Sequence, residues 1–169
     1  MKILALELST ALGSIAFRSE DEPLLVRQFP ADRKDSGLFY ENLSAIRQEC
    51  GLPERIVVGL GPGSYAGIRI AIATAIGLGA ANSAELVGLP SICALECPAY
   101  RVVGDARQSS YFWAKIKDGN CIGGPELMSE EELRARLREP SDLPVFSSQP
   151  LPQLAEVVCA YPDAGILAA

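Results

Sequence analysis

One segment of the sequence constrains the fold more than any other, because it joins a short strand, a glycine-rich turn and a long, almost uncharged helix. The strand is expected at residues 56–60, the turn at residues 61–67, and the end of the helix near Asn82. Small residues recur along the helix at every fourth position, and isoleucines recur beside them at the same spacing. The small residues are Gly67, Ala71, Ala75 and Gly79, and the isoleucines are Ile68, Ile72 and Ile76.

This helix is apolar around most of its circumference, so it must be covered on more than one side. Two glycines inside a helix cost about 1 kcal/mol each relative to alanine, and a stripe of small residues lets another backbone approach closely. Two arrangements explain the pattern: a helix packed inside its own domain, and a helix that a second polypeptide covers. In the second arrangement, Ala71→Leu or Ala75→Arg would abolish dimerisation while leaving the monomer folded.

The turn at residues 61–67 has the general form of an anion-binding loop, because backbone N–H groups at a helix N-terminus point at one place. It is not a P-loop, since Ala66-Gly67-Ile68 stands where Gly-Lys-Ser/Thr is required. It also departs from the dinucleotide-binding fingerprint, because Gly67 follows Gly63 by four positions instead of three. We therefore favour a tight structural turn and keep a phosphate site at Gly61, Gly63 and Ser64 as the alternative.

The rest of the chain alternates strands and helices, which predicts the α/β class. An antiparallel meander is expected over residues 2–8, 14–18 and 24–29, followed by a helix near residues 38–50. Phe39, Leu43 and Ile46 recur on one side of that helix. Further along, Ser129 followed by Glu132 fits a capping box at the start of a short helix.

The pattern restarts after Pro98 and resembles an internal repeat. Glu7 ends the first strand and Ala16 follows nine positions later, and Asp105 and Ala114 have the same roles and spacing. Together with the chain length, this predicts two lobes of one topology, residues 1–98 and 99–169, the second being short for a complete copy. Asp105 and Arg107 also have a purely structural interpretation, as an ion pair or a turn cap at the end of a strand.

Charge and histidine content exclude several classes of function. The 169 residues carry 15 basic and 21 acidic side chains, a net charge of −6. This disfavours independent binding to nucleic acid, because phosphate neutralisation requires a basic surface; Arg33-Lys34 is the only adjacent basic pair. The sequence contains no histidine, which excludes mechanisms that need an imidazole base or an imidazole metal ligand.

Cysteine spacing and hydropathy indicate the environment of the protein. The five cysteines form no Cys-x-x-Cys pair, so we expect reduced, mostly buried thiols and no metal site. No apolar run approaches the length of a membrane span, and the first residues do not read as a signal peptide. A soluble, cytoplasmic protein is the expectation.

Three segments together resemble the TsaB (YeaZ) family, and the resemblance covers most of residues 1–117. The Gly-Pro-Gly-Ser segment with its Gly-Ile-Arg continuation is the most specific motif. The resemblance implies an actin/hexokinase-like (ASKHA) fold with two RNase H-like lobes, the second shortened here. The three segments are Ile3-Leu4-Ala5-Leu6-Glu7-Leu8-Ser9-Thr10, Gly61-Pro62-Gly63-Ser64-Tyr65-Ala66-Gly67-Ile68-Arg69-Ile70, and Asp105-Ala106-Arg107 before an aromatic strand.

The resemblance also implies a function: a bacterial cytoplasmic protein needed to make N6-threonylcarbamoyladenosine at position 37 of tRNA. The family role is mainly that of a non-catalytic partner, which pairs with the catalytic paralogue TsaD, works alongside the ATPase TsaE, and meets tRNA only through the complex. The catalytic paralogue holds its metal through histidines, so this chain is not expected to be that enzyme. A homodimer is the alternative to pairing with the paralogue.

In the family, helices of the first lobe form the dimer surface, and the resemblance therefore assigns a partner interface. No catalytic residue, no metal ligand and no resident cofactor is expected. The interface residues would be Phe39, Leu43, Ile46, Gly67, Ile68, Ala71, Ile72, Ala75 and Gly79. A vestigial nucleotide or phosphate site, with weak binding of ATP or ADP, would comprise Glu7, Ser9, Thr10, Gly61, Gly63, Ser64 and Asp105.

The competing hypothesis is a small ATP-dependent phosphotransferase or ATPase of the same superfamily. Glu7 and Asp105 would then face one cleft, while Ser9 and Thr10 would contact phosphate.

Overall fold

The computed structural model describes residues 1–20, 22–31 and 36–169, and the chain divides into two compact units. The first unit comprises Met1–Glu96 with Pro162–Ala169, and the second comprises Cys97–Tyr161. The Arg33-Lys34 pair lies outside the described residues. None of the helices in the described part of the chain combines the length and the apolar character needed to span a bilayer.

A five-stranded mixed sheet forms the first unit. Its meander consists of β1 (Ile3–Glu7), β2 (Leu12–Arg18) and β3 (Leu25–Pro30), while β4 (Arg55–Gly59) and β5 (Glu85–Leu89) continue the sheet in parallel with β1. Parallel strands need crossover connections, which are α1 (Gly37–Cys50) before β4 and α2 (Tyr65–Asn82) before β5. The strand order is β3-β2-β1-β4-β5. The predicted strand, turn and helix between residues 56 and 82 are confirmed.

The second unit has a five-stranded sheet of its own. Its meander consists of β6 (Ala99–Arg107), β7 (Ser110–Lys117) and β8 (Asn120–Ser129), while β9 (Val145–Ser147) and β10 (Val158–Cys159) continue the sheet in parallel with β6. The helix α3 (Glu130–Arg138) follows β8, and its first turn carries the predicted capping box between Ser129 and Glu132.

The two sheets correspond strand by strand. The order β8-β7-β6-β9-β10 has the same antiparallel and parallel neighbours as β3-β2-β1-β4-β5. In the second unit β9 and β10 are short, and the described residues between them form no counterpart of α2. The fold is therefore actin/hexokinase-like, with two RNase H-like lobes and a shortened second lobe, as the family resemblance implied.

The end of the chain belongs to the first unit, whereas the sequence placed it in a second lobe of residues 99–169. The short helix α4 (Ala164–Leu167) packs in one apolar cluster with Ala5 of β1. The Ala164 N–H donates a hydrogen bond of 2.8 Å to Oγ of Ser14 in β2. These contacts join distant parts of the chain, which is why the repeat in the sequence did not indicate them.

The small-residue stripe of α2 faces its own sheet. Ala71 and Ala75 are 0% and 2% exposed, and Gly79 is also buried. The apolar side of α1 is used in the same way, because Phe39, Leu43 and Ile46 lie in the same core. Six of the nine residues predicted for a partner interface are therefore unavailable to a partner. Helical periodicity identified the correct faces but not the surface that covers them.

The cysteines differ from the expectation of mostly buried thiols. All five are free; Cys50, Cys93 and Cys97 are half-buried, while Cys121 and Cys159 are exposed. No trio of His, Cys, Asp or Glu side chains in the described ranges is placed to hold a metal ion.

At Gly67, α2 packs closely against the backbone that follows β1. A methyl group added there would overlap the carbonyl oxygen of Leu8. This oxygen belongs to the backbone, so it cannot move away as the end of a flexible side chain could. The first turn of α2 is therefore positioned by direct contact between two backbones.

Gly67→Ala is expected to lower the free energy of unfolding by about 1–3 kcal/mol, because the added methyl group must displace α2. Gly77→Ala in the same helix is the matched control, since no atom lies within 4 Å of its added methyl group. That variant should raise the free energy of unfolding by up to about 1 kcal/mol through helix propensity. Urea unfolding of both variants measures the effect, and stabilisation of both would contradict the close contact.

Candidate functional site

The residues predicted for a vestigial nucleotide or phosphate site fall into two groups. One lies in the first unit, around the carboxyl ends of β1 and β4, and contains Glu7, Ser9, Thr10, Gly61, Gly63 and Ser64. Asp105 lies in the second unit, within β6. Apart from Thr10, the first group forms one polar cluster with Ser91, a residue that no sequence motif indicated.

The glycine-rich loop packs against the turn that follows β1. Ser64 donates its backbone N–H to the carbonyl oxygen of Ser9 over 2.6 Å. A methyl group added at Gly63 would overlap that same oxygen. Gly63 is therefore needed because another backbone occupies the space of a side chain.

Several N–H groups of this loop have partners inside the protein. Gly61 N–H donates to Ser91 Oγ over 2.9 Å, and Gly67 N–H donates to Ser64 Oγ over 3.3 Å, which makes Ser64 the N-cap of α2. Ile68 N–H donates to the Ser64 carbonyl oxygen over 2.9 Å. A phosphate cradle needs N–H groups that point at its ligand. The N–H groups of Gly61, Ser64 and Gly67 instead point at protein acceptors, which favours the tight structural turn.

Glu7 is the most unusual group of the cluster, because its side chain is fully buried. Its Oε1 accepts a hydrogen bond of 2.6 Å from the Ser9 N–H, whereas its Oε2 has no hydrogen-bond partner among the described residues. Burial raises the pKa of Glu7, the nearby Ser9 and Ser91 hydroxyls act in the opposite direction, and the negative charge of Asp163 raises it further.

The remaining predicted polar residues have local structural roles. Thr10 donates its hydroxyl to the Leu12 carbonyl oxygen over 2.9 Å. Asp105 is exposed, and its Oδ1 accepts a hydrogen bond of 2.6 Å from the Arg107 N–H. Asp105 is thus the turn cap that was one of its two structural interpretations, and the positive φ of 70° at Arg107 lies in the same turn.

A second candidate surface is the side of α2 that points away from its sheet. We define the outer face of α2 by its exposed residues, and apart from one arginine these are apolar. Tyr65 is 70% exposed and Ile76 is 55% exposed. The Arg69 guanidinium lies over the Tyr65 ring, 5.2 Å from its centroid. The outer face comprises Tyr65, Ala66, Arg69, Ala73, Ile76, Gly77, Ala80 and Ala81.

The predicted interface set only touches this surface. Gly67, Ile68 and Ile72 are half-buried and border the outer face, whereas Ile76, its most exposed aliphatic residue, was not in the set. Ile76 lies in the same isoleucine ridge as Ile68 and Ile72. The ridge in the sequence therefore indicated the exposed side of α2, whereas the small-residue stripe indicated the side that packs on the sheet.

Comparison with curated proteins finds relatives in mycobacteria. An uncharacterized protein of Mycobacterium leprae is 30% identical over 148 residues, which cover 78% of this chain and 40% of that protein. An uncharacterized protein of Mycobacterium tuberculosis is 32% identical over 78 residues, which cover 43% of this chain and 36% of that protein. The chain therefore spans at most about two fifths of these relatives.

Comparison with solved structures finds YeaZ from Pseudomonas aeruginosa, with a TM-score of 0.74 over 98% of this chain and 88% of that one, at 24% identity. A second structure, described as an uncharacterized protein with similarity to peptidase YEAZ from the same organism, gives the same values. Residues 41–122 match the family model described as TsaD: tRNA N6-adenosine threonylcarbamoyltransferase. Almost the whole chain therefore shares the fold of YeaZ, and residues 41–122 are in addition similar to the TsaD family model. Both findings agree with the resemblance to the TsaB (YeaZ) family that the sequence motifs carry.

Proposed function

We propose that this chain is a non-catalytic partner subunit in the biosynthesis of N6-threonylcarbamoyladenosine at position 37 of tRNA. It pairs with a TsaD-like paralogue through the outer face of α2, and it works alongside a TsaE-like ATPase. The observation that carries the proposal is the exposed, apolar outer face on the helix that contains the TsaB-like motif.

The outer face has the chemistry of a binding surface. Burial of exposed apolar area contributes roughly 25 cal/mol per Å², and aromatic and arginine side chains are enriched where binding energy concentrates. Tyr65 and Arg69 supply both types and are stacked on each other. Ala73 and Ala80 add little bulk, so a second helix can approach closely between the larger side chains.

The similarity to TsaD supports the choice of partner. The matched segment, residues 41–122, contains most of α1 and the whole of α2. A TsaD-like protein would therefore present related helices of its own, and like helices packing against each other produce a pseudo-symmetric pair. The net charge of −6 supports contact with tRNA only through the complex.

The polar cluster supports a non-catalytic role. The amides of Gly61, Ser64 and Gly67 donate to protein acceptors, so these donors are not free for the phosphates of a nucleotide. The 169 residues contain no histidine, so the metal-binding histidines of the complex would come from the TsaD-like paralogue.

In a reconstituted reaction, this chain together with TsaD-like and TsaE-like proteins and a threonylcarbamoyl-adenylate donor is expected to modify tRNA, as measured by mass spectrometry of nucleosides. Omission of the chain should abolish the modified nucleoside. Ile76→Lys should weaken binding to the paralogue by at least about tenfold and reduce the yield, because a lysine ammonium must be desolvated at the contact.

The matched control is Leu127→Lys, at a residue that is 74% exposed in the second unit. Both variants should retain the thermal unfolding transition of the wild type, since both side chains are exposed. Equal binding by wild type and Ile76→Lys would refute the interface. Full activity without the chain, or modified tRNA made by the chain without the paralogue, would refute the proposed role. If the chain paired only with a second copy of itself, the proposed heterodimer with the paralogue would be wrong and a homodimer would take its place.

Ala75→Arg is expected to unfold the first unit and not merely to separate a dimer, which reverses the expectation from the sequence. Ala75 is 2% exposed and faces the sheet, so an arginine there would bury an unpaired charge. Circular dichroism should show loss of the cooperative thermal transition. A folded monomeric variant, seen by light scattering, would restore the original interpretation of the stripe, and the same holds for Ala71→Leu.

A further inference from the structure

Two buried oxygen atoms near the end of β1 have no hydrogen-bond partner among the described residues. They are Oε2 of Glu7 and Oγ of Ser9, and both side chains are almost completely enclosed, at 0% and 2% exposed. Buried polar atoms are satisfied in the great majority of cases, so each exception requires an explanation.

Among the residues that the structure describes, no positive charge is found to act on the carboxyl group. Ser9 supplies one backbone N–H, and Gly59 of β4 packs so closely that a methyl group there would overlap Oε2. The short 3-10 helix Ser91–Cys93 presents the Ser91 hydroxyl, and Ser14 of β2 is the cross-strand neighbour. Among the described residues, the one charged group that acts on Glu7 is Asp163, an acid next to α4.

An ionised carboxylate fits this environment poorly. Two acceptor oxygens would carry a charge out of contact with water, beside a second acid, with a single backbone donor. A neutral carboxyl group has an O–H in place of one acceptor. That O–H can donate to the Ser9 or the Ser91 hydroxyl, both of which lie within interaction range. Either hydroxyl could also donate to an ionised carboxylate, so what favours the neutral form is the removal of a buried charge that no positive group compensates.

We propose that Glu7 keeps its proton in the folded protein and acts as a neutral hydrogen-bond donor that ties the end of β1 to the Ser9 turn and the Ser91 helix. The first unit therefore takes up a proton when it folds. This role does not depend on the proposed pairing, and it makes the base of the glycine-rich loop sensitive to pH, because Ser9 and Ser91 hold Ser64 and Gly61.

The sign of the pH dependence follows from linkage. The pKa of Glu7 in the folded protein lies above its ordinary value of 4.5, so the folded state binds the proton more tightly than the unfolded chain. The associated stability is complete below the unfolded pKa and is lost as pH rises from there through the folded pKa. Within that window the folding constant falls up to tenfold per pH unit for one proton.

Glu7→Gln tests the proposal, because glutamine is neutral at every pH and has nearly the same shape. Urea unfolding between about pH 4 and 9 gives the ratio of the wild-type folding constant to that of the variant. The ratio is expected to fall with rising pH above about 4.5 and then to level off. A ratio that is constant, or that rises with pH, would overturn the proposal.

Two further variants separate Glu7 from other carboxyl groups. Glu41→Gln removes an exposed acid from α1 of the same unit. The pH dependence of its folding constant should run parallel to that of the wild type. Asp163→Asn should reduce the stability that is lost between low and high pH, because removal of the neighbouring negative charge lowers the folded pKa of Glu7. A Glu41 effect equal to that of Glu7→Gln would overturn the assignment.

Carbon-13 NMR of wild-type protein labelled at the glutamate carboxyl carbons decides the matter even if the Glu7 variant does not fold. At about pH 6 an ordinary glutamate is ionised. The Glu7 signal, assigned by through-bond correlation to its backbone, is expected at the position of a protonated carboxyl group. An ionised Glu7 at that pH would overturn the proposal.

Discussion

The direct contact between two stretches of backbone is the constraint on which the first unit depends. The carbonyl oxygens of Leu8 and Ser9 occupy the space that side chains would need at Gly67 and Gly63. This contact places the glycine-rich loop against the end of β1 and sets the position from which α2 starts. It also brings the Ser64 N–H within hydrogen-bond distance of the Ser9 carbonyl oxygen.

The position of α2 then determines which of its surfaces is free. With the small residues Ala71, Ala75 and Gly79 against the sheet, the larger side chains of the helix point sideways or outward. The outer face is apolar because the helix contains almost no polar residue to place there. A helix that packs tightly on one side and exposes Ile76 and Tyr65 on the other is suited to join a partner.

Much of the fold could be predicted from local patterns. Strand lengths, the helix at Gly37–Cys50 and the capping box at Ser129 depend on residues close in sequence. The repeat was visible because Glu7 and Asp105 each stand near the end of the first strand of a meander. The α/β topology followed from these elements together with the family resemblance.

The errors arose where contacts join distant parts of the chain. Periodicity shows that Ala71 and Ala75 share a face, but the sheet that covers this face is assembled from strands elsewhere in the sequence. The position of α4 in the first unit depends on Ser14 and Ala5, far from it in the chain. Ser91 joined the polar cluster for the same reason, and a serine after a proline carries no signal of that role.

Methyl cross-saturation NMR tests most directly whether the outer face of α2 is the working surface. Isoleucine- and alanine-labelled protein would be mixed with an unlabelled TsaD-like paralogue, and saturation transferred from the partner would be measured at each methyl group. Strong transfer is expected at Ile76, Ala73 and Ala80, and none at Ala71 or Ala75. A complex whose transfer spares the outer face and falls on other surfaces would contradict it, as would the absence of any complex.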